Sequence, residues 1–198
     1  MAAAAVYAAT VELDTDTRIA RWRPLVQWLL AIPHLAVIHV LASLRGVLTA
    51  ISLVSVLFTK RIPRPLFDAV TMTYRYEWRT ISYALALHHE YPPFDFTPAA
   101  EDDGQLRAGQ LSVRYPSELN RWKPLYKWVL AAPHYVVCIA LAVASVFTIV
   151  GGAVAVLVTG RYPAGAKNFL VGAYRYGTRV EAYVGLLTDQ YPPFRLAS

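Results

Sequence analysis

Two long apolar runs set the pattern of this chain, and each is followed by a helix-period stretch and a proline-aromatic tail. Leu25 to Thr59 holds one charged residue, Arg45, and Val129 to Val158 holds no Asp, Glu, Lys or Arg. At ~1.5 Å per residue, a run of this length makes a helix about 45 Å long, well beyond the ~30 Å of a bilayer's hydrocarbon core. Each run therefore predicts either one kinked, tilted transmembrane span with an interfacial overhang or a tight helical hairpin. Basic residues flank both ends of each run, and such flanks mark the cytoplasmic side, which favours the hairpin. Gly46, beside Arg45, would permit its turn. The second run has its weak point elsewhere, at Gly151-Gly152, which keeps open one span per copy and an inverted repeat. In both readings Pro33 and Pro133 mark a kink or a helix start.

Beyond the runs the period changes. Phe67, Val70, Tyr74, Trp78, Ile81 and Leu85 recur at three and four residues, as do Phe169, Ala173, Tyr176, Val180, Tyr183 and Leu187. That spacing predicts an amphipathic helix in each half, either lying in the membrane interface or packed on the other half. Val11–Asp14 and Leu111–Tyr115 alternate and predict short strands, whose pairing would tie the halves together. Tyr91-Pro92-Pro93-Phe94 and Tyr191-Pro192-Pro193-Phe194 predict extended tails pinned by their aromatics to a neighbouring helix.

The halves are copies offset by one hundred positions. Arg21-Trp22, Pro24, Trp28, Pro33-His34, Arg61, Pro63, Tyr74-Arg75-Tyr76, Arg79 and the Tyr-Pro-Pro-Phe tail all return in register, which is the signature of an internal repeat. The organisation read from this is a membrane repeat over 11–94, a polar acidic linker over 95–110 and a second membrane repeat over 111–198. The order Ile-Pro-His, apolar run, Arg-x-Pro, Tyr-Arg helix and Tyr-Pro-Pro-Phe resembles an uncharacterised actinobacterial membrane family known only as a domain of unknown function. The second half, with Thr159-Gly160-Arg161-Tyr162-Pro163, fits that pattern better than the first, where Lys60 stands for the glycine. The resemblance implies membrane residence and brings no catalytic residues with it.

Composition agrees with the patterning. The chain has 198 residues, 56% apolar and 16% charged, against about a quarter charged in soluble domains. The net charge of +6 matches cationic membrane flanks better than nucleic-acid binding, for which no motif is present. The single cysteine, Cys138, excludes an intramolecular disulfide, and Met1–Thr10 lacks the basic region of a cleavable signal. The expected fold class is thus all-α integral membrane: two tandem repeats, each a long kinked or hairpin transmembrane segment plus an interfacial amphipathic helix, with short strands before each. The expected location is the plasma membrane, multi-pass, with cytoplasmic termini.

Candidate chemistry is sparse. Trp22 and Trp122, set among basic residues, suit the headgroup zone. Arg75, Arg79, Arg175 and Arg179 lie one turn apart in pairs and are candidates to grip anionic lipid phosphates. His34 and His134 follow the prolines, and capping a carbonyl at a kink is their expected role. His88-His89-Glu90 has Thr188-Asp189-Gln190 as its counterpart, and adjacent helical residues point apart, so no metal site is expected. No catalytic motif and no cofactor-binding motif is found. The function expected is a non-enzymatic accessory or scaffold protein of the membrane, a small subunit of a larger complex, whose partner is another membrane protein or a second copy. The alternative is lipid binding or handling through the interfacial arginines and aromatics.

Overall fold

The computed structural model describes residues 7–13, 18–102, 104 and 109–197. Asp14 at the end of the first expected strand, Met1–Val6 of the N-terminal stretch, and Asp103 and residues 105–108 of the linker lie outside it. The element order is β1 (Ala9–Glu12), α1 (Arg23–Leu30), α2 (Ile32–Thr59), α3 (Arg64–Ala84), β2 (Gln110–Val113), a single 3-10 turn (Lys123–Leu125), α4 (Lys127–Leu130), α5 (Ala132–Thr159) and α6 (Ala164–Val184).

Most of each apolar run forms one continuous 28-residue helix, α2 and α5, after a short lead-in helix, α1 and α4, that ends just before Ala31 and Ala131. The hairpin expectation is corrected: neither Arg45-Gly46 nor Gly151-Gly152 breaks its helix. A helical glycine costs only about 1 kcal/mol relative to alanine, which the packing of Leu41, Leu48 and Val56 in α2 and of Leu141, Ile149 and Val156 in α5 outweighs. Pro33 and Pro133 stand in the first turn of α2 and α5, where a missing N–H is harmless, so they mark starts and not kinks. Both helices stop at a left-handed residue, Lys60 (φ +60°) and Gly160 (φ +70°). The N–H of each bonds to the carbonyl four residues back, Val56 or Val156. This closing geometry suits glycine, and Lys60 adopts it at a steric cost that Gly160 avoids.

The turn after each long helix reverses the chain, so α3 lies antiparallel against α2 and α6 against α5. The two long helices also run antiparallel to each other. The N–H of Ile19, at the entry to the first copy, donates to Gly160 O at the end of α5 (3.1 Å), and the N–H of Leu119, at the entry to the second, donates to Lys60 O at the end of α2 (2.9 Å). A pseudo-twofold relation between the copies follows.

The layers are read from the faces of α3. Toward α2 it presents Tyr74 and Glu77, which Arg45 meets. Toward the opposite side it presents Arg75, Trp78 and Ser82, which meet Leu111 and Glu12 of the two-stranded sheet and Gly109 just before it. The sheet pairs β1 with β2 antiparallel, Ala9 opposite Val113 through Glu12 opposite Gln110, and so joins the copies. Three layers result: α2 with α5, then α3 with α6, then the sheet. Trp78 stacks on Tyr174 at 4.3 Å between ring centres, at the centre of a core that includes Phe67, Val70, Leu111, Val113, Leu170 and Leu187. The amphipathic helices α3 and α6 are therefore largely enclosed within the protein and do not lie open at an interface.

Candidate functional site

The four arginines expected to grip lipid are turned inward. Arg75 donates to Leu111 O (3.2 Å) and Ala99 O (2.8 Å) and lies 3.3 Å from Asp102. Arg79 pairs with Asp95 at 3.2 Å and Asp102 at 3.0 Å. Arg175 donates twice to Val11 O and once to Leu196 O, and Arg179 donates to Arg195 O and Ala197 O. Arg75, Arg79 and Arg179 are buried, and all four lie on the side of α3 and α6 remote from the long helices. Their role as phosphate grips is corrected to one in architecture: a guanidinium's fork of five donors can satisfy several strand and tail carbonyls at once. The acidic linker supplies the counter-charge in the first copy, while in the second the hydrogen bonds go to backbone carbonyls and Arg179 also lies over the Tyr7 ring.

The paired histidines do not cap a carbonyl. His34 Nδ1 and Tyr76 Oη share a 2.7 Å hydrogen bond, and His134 and Tyr176 share one of 2.6 Å. Each imidazole also stacks on the tail phenylalanine, with centroids 4.1 Å from Phe94 and 4.2 Å from Phe194. Tyr91 and Tyr191 meet the same rings edge-on. The histidines thus clasp tail, long helix and inner helix together. Gln27 and Lys127 reinforce this end by donating to His88 O (2.8 Å) and Thr188 O (2.7 Å). His88 is wholly buried against Ser82, and no cluster of three or more metal-ligating side chains occurs among the described residues.

The outer faces of α2 and α5 are open. Both helices are long and apolar enough to cross a membrane. Phe58 and Phe147 are 78% and 73% exposed, with Val40, Val47, Ile51, Val54, Val136, Ile139 and Val150 alongside. No Asp, Glu, Lys or Arg is among the exposed positions of either helix. At the entry to each copy stand exposed tryptophans, Trp22 and Trp28, then Trp122 and Trp128. Arg21, Arg61, Arg64 and Arg161 ring the same ends.

Between α2 and α5 runs a groove floored by α3 and α6, and it holds charges that no sequence argument had joined. Arg45 lies over the Tyr74 ring at 4.1 Å and donates to Glu77 at 2.7 Å, while its Nη1 is buried without a partner. Glu181 of α6 faces the same point. Its side chain reaches the surface along the groove, yet protein crowds it. That crowding first, and Glu77 second, push its carboxyl up to about 6 against the relief from Arg45. On the second copy's side lies a cavity of about 240 Å³, bounded by Trp78, Cys138, Leu141, Ser145, Ile149, Tyr174 and Gly177, with Glu77 and Glu181 at its edge. The signal that could have found this site is the mismatch between copies: Arg45 answers to Ser145, Glu77 to Gly177, and Ile81 to Glu181.

No curated protein matches the chain, and no solved structure does. One family matches twice, over residues 21–95 and 121–195, which takes in both long helices, both inner helices and both tails. With three-quarters of its length so matched, the chain belongs to the family described as "Domain of unknown function (DUF4389)" and carries two copies of that domain.

Proposed function

We propose that this protein is a non-catalytic lipid-binding module that seats α2 and α5 side by side in the plane of one leaflet. The carrying observation is the layer order. The layer of α2 and α5, which exposes no charge of its own and admits Glu181 only through the groove, lies on one side, and the polar sheet, with Glu12, Glu101 and Arg114 exposed, lies on the other. Stood upright across a bilayer, α2 and α5 would bring the sheet and the charged linker to membrane depth, where polar backbone and carboxylates cost several kcal/mol each. Laid flat, the same fold buries its apolar layer among acyl chains and leaves the sheet in water. The exposed tryptophans then lie at headgroup level, and Arg21, Arg61, Arg64 and Arg161 meet anionic phosphates from the rim. That leaflet is the cytoplasmic one by its anionic charge, and residues 7 and 197 lie with the sheet on its aqueous side.

Depth measurement tests this. Single cysteines at Val40, Val47, Val54 and Phe58, in a Cys138→Ser background, carry a fluorophore quenched by lipids brominated at known depth. An in-plane helix gives one shallow depth at all four positions. A profile that passes through the bilayer centre and out to the far leaflet would refute the seat. The accessory-subunit reading requires a partner as well. Nothing on the polar layer singles one out, so lipid binding is the reading preferred.

A further inference from the structure

We infer that the groove between α2 and α5 binds a single-chain amphiphile ending in a protonated amine, its chain in the cavity beside Ser145 and its ammonium against Glu77 and Glu181. The inference rests on the in-plane seat, because that seat opens the groove to the lipid from which such a molecule would enter.

The duplication supplies the main argument. In the first copy Arg45 lies across Tyr74 and pairs with Glu77, and the hollow of about 240 Å³ that remains beside it is bounded by Thr49, Tyr74, Tyr135 and Val180. In the second copy Ser145 takes that position beside Tyr174, and the space between long and inner helix is the 240 Å³ cavity. Close packing is the rule in protein interiors, and a 150 Å³ apolar cavity already admits benzene. Where the first copy sets a guanidinium against its tyrosine, the second leaves apolar space against Tyr174, and that space is room for a ligand chain. Gly177, where the first copy has Glu77, widens it with nothing within van der Waals reach of an added methyl.

Charge identifies the head. The groove gathers two carboxylates and one guanidinium, and Arg45 is bound to Glu77. No hydrogen bond or ion pair engages the Glu181 carboxylate among the described residues. A carboxylate at the edge of an apolar cavity accepts hydrogen bonds and favours a cation, and bonds to charged groups are the strong ones. An ammonium has three donors to share between Glu77 and Glu181. A fatty carboxylate would instead place like charge against both. The apolar walls, with carboxylates only at the rim, specify a lone chain and a compact head.

Cys138, the only cysteine in the chain, lines the cavity and reports occupancy. The rate of N-ethylmaleimide addition to it is followed by intact-mass spectrometry, with the protein on phosphatidylcholine–phosphatidylglycerol vesicles and, separately, in maltoside micelles. Dodecylamine, dodecanol or dodecanoate is added at equal mole fraction. Dodecylamine should slow alkylation about tenfold more than dodecanoate, the ratio expected when a charged hydrogen bond of ordinary strength decides binding. Glu181→Gln should abolish the advantage of the amine over the alcohol while leaving vesicle binding intact. Ser145→Arg, which sets the first copy's guanidinium at this place, should remove the response to all three compounds. A reference cysteine at His39, on the open face of α2, should show no amine-specific protection in a Cys138→Ser background. Equal slowing by amine and carboxylate, or an amine preference that survives Glu181→Gln, overturns the inference. The micelle arm tests the cavity whatever the vesicles show. Failure to bind vesicles would overturn the in-plane seat, whereas vesicle binding without amine protection would overturn this site alone.

Discussion

His88 shows how one buried side chain sets a response of the whole protein. Its imidazole is wholly enclosed, with Nε2 3.0 Å from Ser82 Oγ. Burial first, then the nearby basic side chains of His89 and Lys167, push its pKa from 6.5 down to about 4. The folded protein therefore holds His88 neutral at pH values where the unfolded chain has already protonated it. The stability tied to this group is present above pH 6.5 and is lost as pH falls from 6.5 toward 4, by roughly 3 kcal/mol at the limit. Glu181 acts in the opposite sense. Its raised carboxyl favours folding below 4.5 and ceases to as pH rises through 6. Thermal unfolding followed from pH 7.5 to 4 should show a steep loss of Tm below 6.5. His88→Thr, the residue of the second copy, should flatten that slope even if it lowers the Tm at neutral pH. An unchanged slope would remove His88 as its origin.

At the scale of elements, the turn after each long helix is packed by a matched pair of residues that differs between the copies. In the second copy Tyr162 is buried against Gly152, so closely that a methyl on Gly152 would overlap the phenol ring. In the first copy the same places hold Ile62 and Ser52, both buried. Gly152→Ser should therefore destabilise by about 1–3 kcal/mol through overpacking. Tyr162→Ile should cost a similar amount through the cavity it leaves. The double substitution, which installs the first copy's pair, should recover most of the loss, with a coupling energy of about 1–3 kcal/mol in a double-mutant cycle of chemical unfolding. Additive losses would show that the two positions do not share one space. The sequence carried the existence of these elements clearly. Phe67 to Leu85 keeps its helical period, and Leu111 to Val113 alternates as it pairs. It misled at Gly46, where glycine suggests a turn, because a helix's continuity is settled by what packs along it. Arg75 and Arg79 read as a surface grip because a helical period gives a face but not what covers it. The β2 carbonyl and linker carboxylates that engage them lie at positions 95–111 and reach α3 only through the fold.

The whole molecule poses the question of which way its pseudo-twofold axis points. The two long helices are antiparallel and lie in one layer, so the axis passes between them, perpendicular to that layer. If α2 and α5 crossed a bilayer, the axis would lie in the membrane plane, the copies would be inverted, and opposite ends of α2 would face opposite sides. If they lie flat, the axis follows the membrane normal and both copies present the same face to the same leaflet. The distribution of charge separates these cases. Arg21 lies near the start of α2 and Arg64 beyond its end, and both are exposed. Basic flanks at both ends of a helix suggest a hairpin when the helix is assumed to cross; they suit a helix lying along one interface just as well, since both its ends meet the same anionic headgroups. The groove site depends on the same geometry, because Arg45, Glu77 and Glu181 come from both copies and meet where the axis passes. Single cysteines replacing Arg21 and Arg64, in a Cys138→Ser background, should both react with a membrane-impermeant maleimide added outside sealed vesicles to which the protein has bound. Their labelling should be equal and complete before the vesicles are opened. One position labelled only after lysis would place the ends of α2 on opposite sides and return the long helices to a crossing arrangement, with the sheet at membrane depth.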